Sequence, residues 1–272
     1  MELTGLAEQL AAVPGVIGVV LGGSRARRDH TPESDTDLGL YYRRPLDTEV
    51  LDALAKRVGG PSAAVTEPGG WGPWVDGGGW LRIAGEPVDW IYRDLDRVAA
   101  VWESARQGRY SFHHQAGHPL GFVDIAYPGE LALGQILADP TGELAALQEQ
   151  VRVYPRTLTE ALVGGLWEGD FLVAVARKAV TRRDRTYVAG CLFRLVGVCV
   201  HALHGAGQRW LINEKGAVAA AAAIPGAPAG FRERAEAVFG HLEGGPERLT
   251  SAIDAAADLV LDTADACAKM IR

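Results

Sequence analysis

The strongest constraint on the fold is a change of pattern near Val153. Before it, short apolar runs end at glycine- and proline-rich turns, as in VIGVVLG at 16–22. After it, Ala, Leu and Val recur with the period of helices and without the alternation that is typical of strands. The pattern predicts an α+β fold, with strands and helices in a first domain over 1–150 and a bundle of about four or five helices over 151–272.

Within the first domain, short apolar runs bounded by turn residues predict strands. These runs are 16–22, 36–44, the two arms of a hairpin at 80–85 and 86–94 that turns near Gly85, and 121–127. Asp47 and Asp94 each precede a helical pattern and have the residue type preferred at helix N-caps. A further helical stretch is predicted over 130–151.

Composition predicts a soluble, cytoplasmic protein. Hydrophobic residues make up 48% of the chain, which is ample for a buried core, but no run of eighteen apolar residues occurs. The N-terminus lacks the basic start and apolar stretch of a signal peptide. Cys191, Cys199 and Cys267 have no CxxC spacing and are odd in number, which predicts buried thiols and not a zinc site or disulfides.

Charge is distributed unevenly along the chain. Residues 1–149 contain 12 Lys and Arg against 21 Asp and Glu, whereas residues 150–272 contain 15 against 13. An acidic half repels a polynucleotide, so nucleic acid is an unlikely partner. The same charge suits a metal ion or a cationic small molecule.

Two aspartates follow a glycine-serine turn in GGSRARRDHTPESDTDLGLYY, residues 22–42. Asp35 and Asp37 are two apart on a predicted strand, so their side chains are expected on one face. Asp89 lies between apolar neighbours in a later strand, where an unpaired buried charge is costly. Three such carboxylates predict a site for Mg²⁺, which prefers oxygen ligands together with substrate phosphates.

The turn before these acids has the chemistry of a phosphate site. Gly23 allows backbone N–H groups to come close to a phosphate, and Ser24 is expected to begin a helix whose N-terminus favours an anion. Nucleotide phosphates and a metal are therefore predicted at neighbouring positions.

The motifs GSRAR at 23–27, SDTDL at 34–38 and VDW at 88–90 resemble the signature of the DNA polymerase β nucleotidyltransferase superfamily. They are most similar to those of its bacterial minimal and aminoglycoside-type members. The resemblance implies a catalytic domain with a mixed β-sheet flanked by helices. It also implies transfer of a nucleoside monophosphate, from ATP or another NTP, to a hydroxyl group with release of pyrophosphate.

Residue roles follow from the resemblance only at matching positions. It implies that Asp35 and Asp37 bind two Mg²⁺ ions, and that Asp89 binds one metal or activates the acceptor hydroxyl. It further implies that the triphosphate is held by the backbone and side chains of three residues: Gly23, Ser24 and Arg27.

The second half resembles the helical domain of streptomycin-type adenylyltransferases, which completes the active-site cleft in that family. CLFRLVGVCVHALHGAGQRWLINEKGAVAAAA, from residue 191 onward, is similar to the segment that supplies a lysine to the ATP phosphates. Lys215 is the matching residue. A surface lysine beside Gly216 at a helix start is an equally ordinary interpretation.

The resulting hypothesis is a two-domain, Mg²⁺-dependent adenylyltransferase-like enzyme whose partners are a nucleotide and a small hydroxylated acceptor. Two alternatives stay open. Arg194 and His201 are spaced as in the ribonuclease motif of HEPN helical domains, which would make the chain a fused toxin and antitoxin. The chain would otherwise be a catalytically silent nucleotide-binding module.

Several aromatic and histidine residues have both structural and functional interpretations. Trp71, Trp74 and Trp80 would stack on a base or sugar, or would pack in the interior, and packing is the expectation. The histidines at 113, 114 and 118 are expected to be surface residues or to line an acceptor pocket, since they lack a firm set of zinc ligands.

Overall fold

The computed structural model describes residues 3–27, 34–240 and 242–272. Backbone contacts divide it into two compact units. Unit 1 contains the chain up to Ser104 together with Tyr110–Val153, and unit 2 contains Ala105–Arg109 together with Tyr154–Arg272. The expected α+β class is confirmed. The division into domains at residue 150 stays a prediction.

Unit 1 is built on a mixed five-stranded sheet in the order β3-β4-β2-β1-β7, in which β2 and β4 are parallel and the other neighbours antiparallel. Its strands are β1 (Val16–Leu21), β2 (Thr36–Tyr42), β3 (Gly78–Ile83), β4 (Glu86–Asp94) and β7 (Gln135–Ala138), with a separate pair β5 (Phe112–His113) and β6 (Phe122–Val123). The helices are α1 (Leu3–Ala11), α2 (Gly23–Arg27), α3 (Thr48–Gly59), α4 (Leu95–Ala105), α5 (Ala126–Leu133) and α6 (Glu143–Val151).

One face of this sheet forms the core of unit 1. Side chains alternate between the faces of a strand, so Leu38 and Leu40 of β2 share a face with Trp90 of β4. All three are fully buried and belong to one apolar cluster with residues of α1 and α3. The intervening residues of each strand therefore point to the opposite face.

That opposite face has two ends of different character. At one end Tyr41 of β2 is in register with Arg93 of β4, and both are buried. The guanidinium of Arg93 donates to both carboxylate oxygens of Glu130 on α5, at 2.5 and 2.8 Å. The other end carries Asp37 and Asp89. This face thus carries a neutralised ion pair at one end and two acids at the other.

Both predicted helix caps are confirmed. The Asp47 carboxylate accepts a hydrogen bond from the N–H of Val50 at 3.0 Å, at the start of α3. Asp94 accepts from the N–H groups of Asp96 and Arg97 at 3.1 and 3.2 Å. Each carboxylate satisfies amide groups that have no partner within the first helical turn. The hairpin at Gly85 is also confirmed, with φ of +87° at that glycine.

Two predictions between 121 and 151 are wrong. The strand over 121–127 is reduced to the two residues of β6, because the Asp124 carboxylate accepts from the N–H of Ser111 and α5 begins at Ala126. The helical stretch over 130–151 is interrupted by β7, which pairs with β1. A four-residue strand is stabilised by that distant partner, so its local sequence carries little signal.

Unit 2 is helical, and its described part contains six helices where four or five were predicted. They are α7 (Arg156–Gly164), α8 (Trp167–Val180), α9 (Arg185–Ala206), α10 (Ala217–Ala222), α11 (Phe231–Gly240) and α12 (Pro246–Met270). The long helix α9 lies in the apolar core, and the three cysteines are buried free thiols as expected.

Among the described residues, α9 is also the one helix long and apolar enough to cross a membrane, with a mean hydropathy of 1.6. However, 61% of that apolar window is buried inside the structure, as in the core helix of a soluble protein. The cytoplasmic location stays a prediction.

Candidate active site

The two strands that carry the candidate acids are direct neighbours. Asp37 of β2 and Asp89 of β4 are partners in the parallel register. Paired residues of adjacent strands are about 5 Å apart and project to the same face. The structure therefore brings together two of the three carboxylates that the sequence nominated.

Asp35 lies just outside the strand on which it was predicted. The strand β2 begins at Thr36, and Asp35 is exposed in the segment that enters it. Arg25 of α2 fixes this segment, because its guanidinium donates to the carbonyl of Ser34 at 2.8 Å and to that of Asp35 at 3.3 Å. The charge of Asp35 still acts on Asp89. Asp35 is thus beside the pair without sharing its strand register.

Gly23 is needed where it stands because Asp37 fills the space beside it. Its φ is +61°, and a Cβ added there would lie 1.7 Å from Oδ2 of Asp37. The N–H of Gly22 also donates to the backbone carbonyl of Asp37 at 2.8 Å. The glycine turn after β1 and Asp37 of β2 therefore form one closely fitted unit.

The charged groups around Asp89 are other carboxylates, and they affect its pKa. Burial raises its pKa to about 6, and the negative charges of Asp37 and Asp35 add to the effect. The two arginines on the same hairpin make other contacts: Arg93 pairs with Glu130, and Arg82 donates to the carbonyl of Gly85 at 2.7 Å. A bound cation would relieve this repulsion.

The donor chemistry at this position fits a hard divalent ion, since it consists of carboxylate oxygens. Within the described ranges, however, no group of three or more His, Cys, Asp and Glu side chains is arranged to hold a metal. The paired Asp37 and Asp89, with the glycine beside them, supply two such donors. The assignment of metal ions to the three aspartates stays a prediction.

The remaining predicted phosphate ligands have different positions. Ser24 is in the short helix α2, which begins at Gly23 and not at the serine. Arg27 ends that helix, and its side chain lies outside the described part of the structure. Lys215 belongs to unit 2, where its side chain is exposed and its N–H donates to Oδ1 of Asn213 at 2.9 Å. Their roles toward phosphates stay predictions.

The expectation that the three tryptophans pack inside is wrong for Trp80. Its side chain is 72% exposed, and its ring stacks on that of Trp71, with centroids 4.4 Å apart and planes 13° from parallel. Trp80 is the register partner of Asp89 across β3 and β4, so both point to the same face. The alternation of Trp80 and Arg82 with buried Leu81 and Ile83 was the signal available in the sequence.

Trp74 follows the structural interpretation. Its ring stacks on that of His113, with centroids 3.5 Å apart, and the guanidinium of Arg97 lies over it at 5.4 Å. His113 also contacts the Asp124 carboxylate at 3.2 Å, and His118 packs edge-on against Phe122. These histidines take part in packing around the β5–β6 pair.

The Arg194 and His201 pair of α9 has the surroundings of packed residues. Arg194 makes a two-pronged ion pair with Glu168 of α8, with nitrogen-oxygen distances of 2.7 and 2.9 Å. His201 is 4% exposed, and burial lowers its pKa to about 3, with the positive charges of His204 and Arg194 adding to the shift. A buried imidazole that stays neutral at pH 7 is poorly suited to acid-base cleavage of RNA.

Comparison with known proteins bears on the same segment of unit 1. Residues 3–63 match the family model described as "Nucleotidyltransferase domain". This range contains the Gly23 turn, Asp35 and Asp37, and it ends before Asp89. The match supports nucleotidyl transfer, with an NTP as substrate, as the general class of activity.

Among solved structures, the chain is similar to a nucleotidyltransferase-like protein from Exiguobacterium sibiricum 255-15, with 14% sequence identity and a TM-score of 0.46. The similarity covers 97% of this chain and 74% of that one. No curated protein sequence matches this chain.

Proposed function

We propose that this protein is a Mg²⁺-dependent nucleotidyltransferase that transfers AMP from ATP to a hydroxyl group of a small acceptor. The observation that carries the proposal is the fit of three residues on two adjacent strands and one turn. Asp37 is in register with Asp89 and fills the space beside Gly23. Repelling carboxylates next to a glycine turn are the arrangement that a metal-bound triphosphate would stabilise.

The proposed reaction is an in-line displacement at the α-phosphorus. The acceptor oxygen forms a new bond to that phosphorus while the bond to the bridging oxygen of the β-phosphate breaks, so pyrophosphate leaves. If Asp89 is the general base, the hydroxyl proton passes to its carboxylate. The carboxylate must then lie within hydrogen-bond distance of the acceptor hydroxyl. When bound, Mg²⁺ supplies positive charge at the attacking and leaving oxygens, and Asp35, Asp37 and Asp89 are the residues that would hold it.

Phosphate binding is assigned to the turn and to basic residues that match the resemblance. Gly23 and Ser24 would hold the triphosphate, with Arg27 and Lys215 contributing positive charge. Aminoglycosides belong in the set of acceptors to be tried because of the aminoglycoside-type motifs.

The direct test is pyrophosphate release from each NTP with Mg²⁺, over a panel of hydroxylated acceptors. Release that depends on both ATP and an acceptor is expected. Binding of ATP without release under any condition would instead indicate the catalytically silent module. Cleavage of RNA that is unaffected by loss of Asp37 and abolished by loss of His201 would indicate the toxin alternative.

Asp89→Asn separates the two roles of the third acid. If Asp89 is chiefly the base, kcat should fall by ~10²–10⁴ while metal-dependent ATP binding survives. A comparable loss of ATP binding, measured by calorimetry with a non-hydrolysable analogue, would mark Asp89 as a metal ligand. Full activity in this variant would remove Asp89 from the site.

A further inference from the structure

Three strands place candidate functional residues in one row across the open end of the sheet face. Trp80 of β3 is the register partner of Asp89 on β4, and Asp89 is the partner of Asp37 on β2. Asp37 in turn lies against Gly23, at the end of β1. Neighbouring strands are about 4.8 Å apart, so the row extends from the glycine turn to Trp80.

The exposed indole at the end of this row is backed by a second indole. The rings of Trp80 and Trp71 are nearly parallel and stacked, so one ring face of Trp80 is covered. Because 72% of the Trp80 side chain is nevertheless exposed, its other face is accessible to solvent. A flat ring that joined the stack would extend an arrangement that aromatic groups already favour.

The loop that carries Trp71 is held in place by a buried glutamine. The amide nitrogen of Gln115 donates to the carbonyl of Trp71 at 2.6 Å. Its amide oxygen accepts from the N–H groups of Trp74 and Val75 at 3.1 and 3.3 Å. Gln115 is itself buried. The backbone that carries the Trp71 indole is thus held in place before any ligand binds, which lowers the entropy cost of binding.

The order of the strands indicates which substrate the Trp80–Trp71 stack would contact. Under the proposed function, the triphosphate lies at the Gly23 turn, on the Asp37 side of the row. Trp80 lies on the other side of Asp89, where a hydroxyl that loses its proton to Asp89 would approach. The stack is therefore on the acceptor side of the reaction centre.

We propose that Trp80, backed by Trp71, is an acceptor subsite that stacks on an aromatic ring, so that the acceptor is an aromatic compound with a hydroxyl group. This inference rests on the proposed function for its choice of acceptor over nucleotide. Acidic neighbours on the row, Asp89 and Asp37, favour an acceptor that also carries a positive charge. Tyramine, which has a phenol ring, a hydroxyl and an ammonium group, is a suitable probe.

The test is titration of the full chain with tyramine, without nucleotide or metal, while the indole N–H signals are followed by NMR. The signals of Trp80 and Trp71, assigned by single Trp→Phe variants, should shift together. The cyclohexanol analogue of tyramine keeps the hydroxyl and the amine but has no aromatic ring, and it should bind more weakly. Trp80→Ala should weaken tyramine binding roughly 2- to 12-fold, the range for one aromatic stack, and Trp80→Phe should restore part of it.

Trp167→Ala is the matched control, because Trp167 is also highly exposed, at 68%, and lies in unit 2. It should leave tyramine binding unchanged. Adenosine that shifted Trp80 more strongly than tyramine would overturn the acceptor assignment in favour of the nucleobase. Equal binding of tyramine and its cyclohexanol analogue, or no shift of Trp80 with either, would overturn aromatic stacking.

Pyrophosphate release separates this inference from the proposed function. In the active enzyme, Trp80→Ala should raise KM for an aromatic acceptor and leave KM for ATP unchanged. If no NTP and acceptor give pyrophosphate while tyramine still shifts Trp80, the proposed function fails and the stacking site remains. If release occurs and Trp80→Ala leaves KM for aromatic acceptors unchanged, the acceptor subsite fails alone.

Discussion

Two ionisable side chains, Asp89 in the sheet of unit 1 and His201 in α9 of unit 2, have opposite surroundings. The charged groups that act on Asp89 are both carboxylates, so its environment penalises the charged form that a metal would stabilise. His201 is buried in its neutral form, and the nearby Arg194 is already paired with Glu168. Both were nominated from motifs in the sequence. In the candidate active site, negative charges repel one another and a bound cation would relieve the repulsion. At His201, burial keeps the imidazole uncharged, so no such repulsion remains.

The largest expected effect is the loss of transfer in Asp37→Asn. Removing one carboxylate from the proposed metal site should lower pyrophosphate release by ~10³-fold or more, since metal-ion catalysis contributes several kcal/mol. The free energy of unfolding without Mg²⁺ should hold or rise by less than about 1 kcal/mol, because a repelling charge is removed from a partly exposed site. Denaturant unfolding in a chelator measures this second part.

Glu168→Gln is the control, because it makes the same carboxylate-to-amide change in unit 2, at the partner of Arg194. Transfer should stay within about twofold of the parent, which is less than one hydrogen bond contributes. The catalytic assignment would be wrong if the double variant Asp35→Asn, Asp37→Asn retained activity.

A smaller loss of transfer is expected in Gly23→Ala. The added Cβ would lie 1.7 Å from Oδ2 of Asp37, so the carboxylate or the turn must move. A displacement of about 1 Å in an active site can lower the rate by roughly 10²-fold. Pyrophosphate release and circular dichroism together would show a folded protein with impaired transfer.

Gly60→Ala is the control for backbone strain alone. Gly60 also has a positive φ, of +92°, but a Cβ there would meet nothing within 4 Å. It should lose some stability and keep its rate of transfer. Equal loss of transfer in the two variants would show that strain, and not displacement of Asp37, is the cause.

His201 should affect acid stability and not transfer. Its folded pKa of about 3 is below the value near 6.5 expected in the unfolded chain, so between these values the unfolded chain binds a proton that the folded chain does not. Stability is therefore lost as pH falls through this window, at up to about 1.4 kcal/mol per pH unit from this residue. Denaturant unfolding from pH 7 to pH 4 should show a shallower dependence in His201→Gln than in the parent. A parallel dependence in both would mean that His201 titrates normally.

Local chemistry allowed the caps to be predicted from the sequence, and the strand pattern together with the motif resemblance pointed to the acids. Asp47 and Asp94 act within a few residues of their own positions, and Asp37 lies in a motif that runs into its own strand. Position along the chain was enough for the two caps because each depends mainly on neighbours in sequence, whereas the pairing of Asp37 with Asp89 joins strands that are distant in sequence.

Long-range partners decided the features that were predicted wrongly. The strand β7 exists because β1 offers it an edge, and four residues within a helical pattern do not reveal that edge. Trp80 is exposed because its side chain points away from the core. Trp71, which stacks on it, lies in a loop that Gln115 holds in place. The alternation with Arg82 was visible in the sequence, but the loop contact was not.

The parallel pairing of β2 with β4 has a consequence for how the molecule folds. Parallel strands cannot be joined by a tight turn, and here α3 and β3 intervene in the chain between them. Contacts between distant segments form slowly, because chain closure is costly in entropy before the contact is made. Asp37 and Asp89 therefore become neighbours only when that long segment has closed. A growing or partly folded chain would not yet concentrate negative charge at this position, so the attraction for a cation arises with the completed sheet.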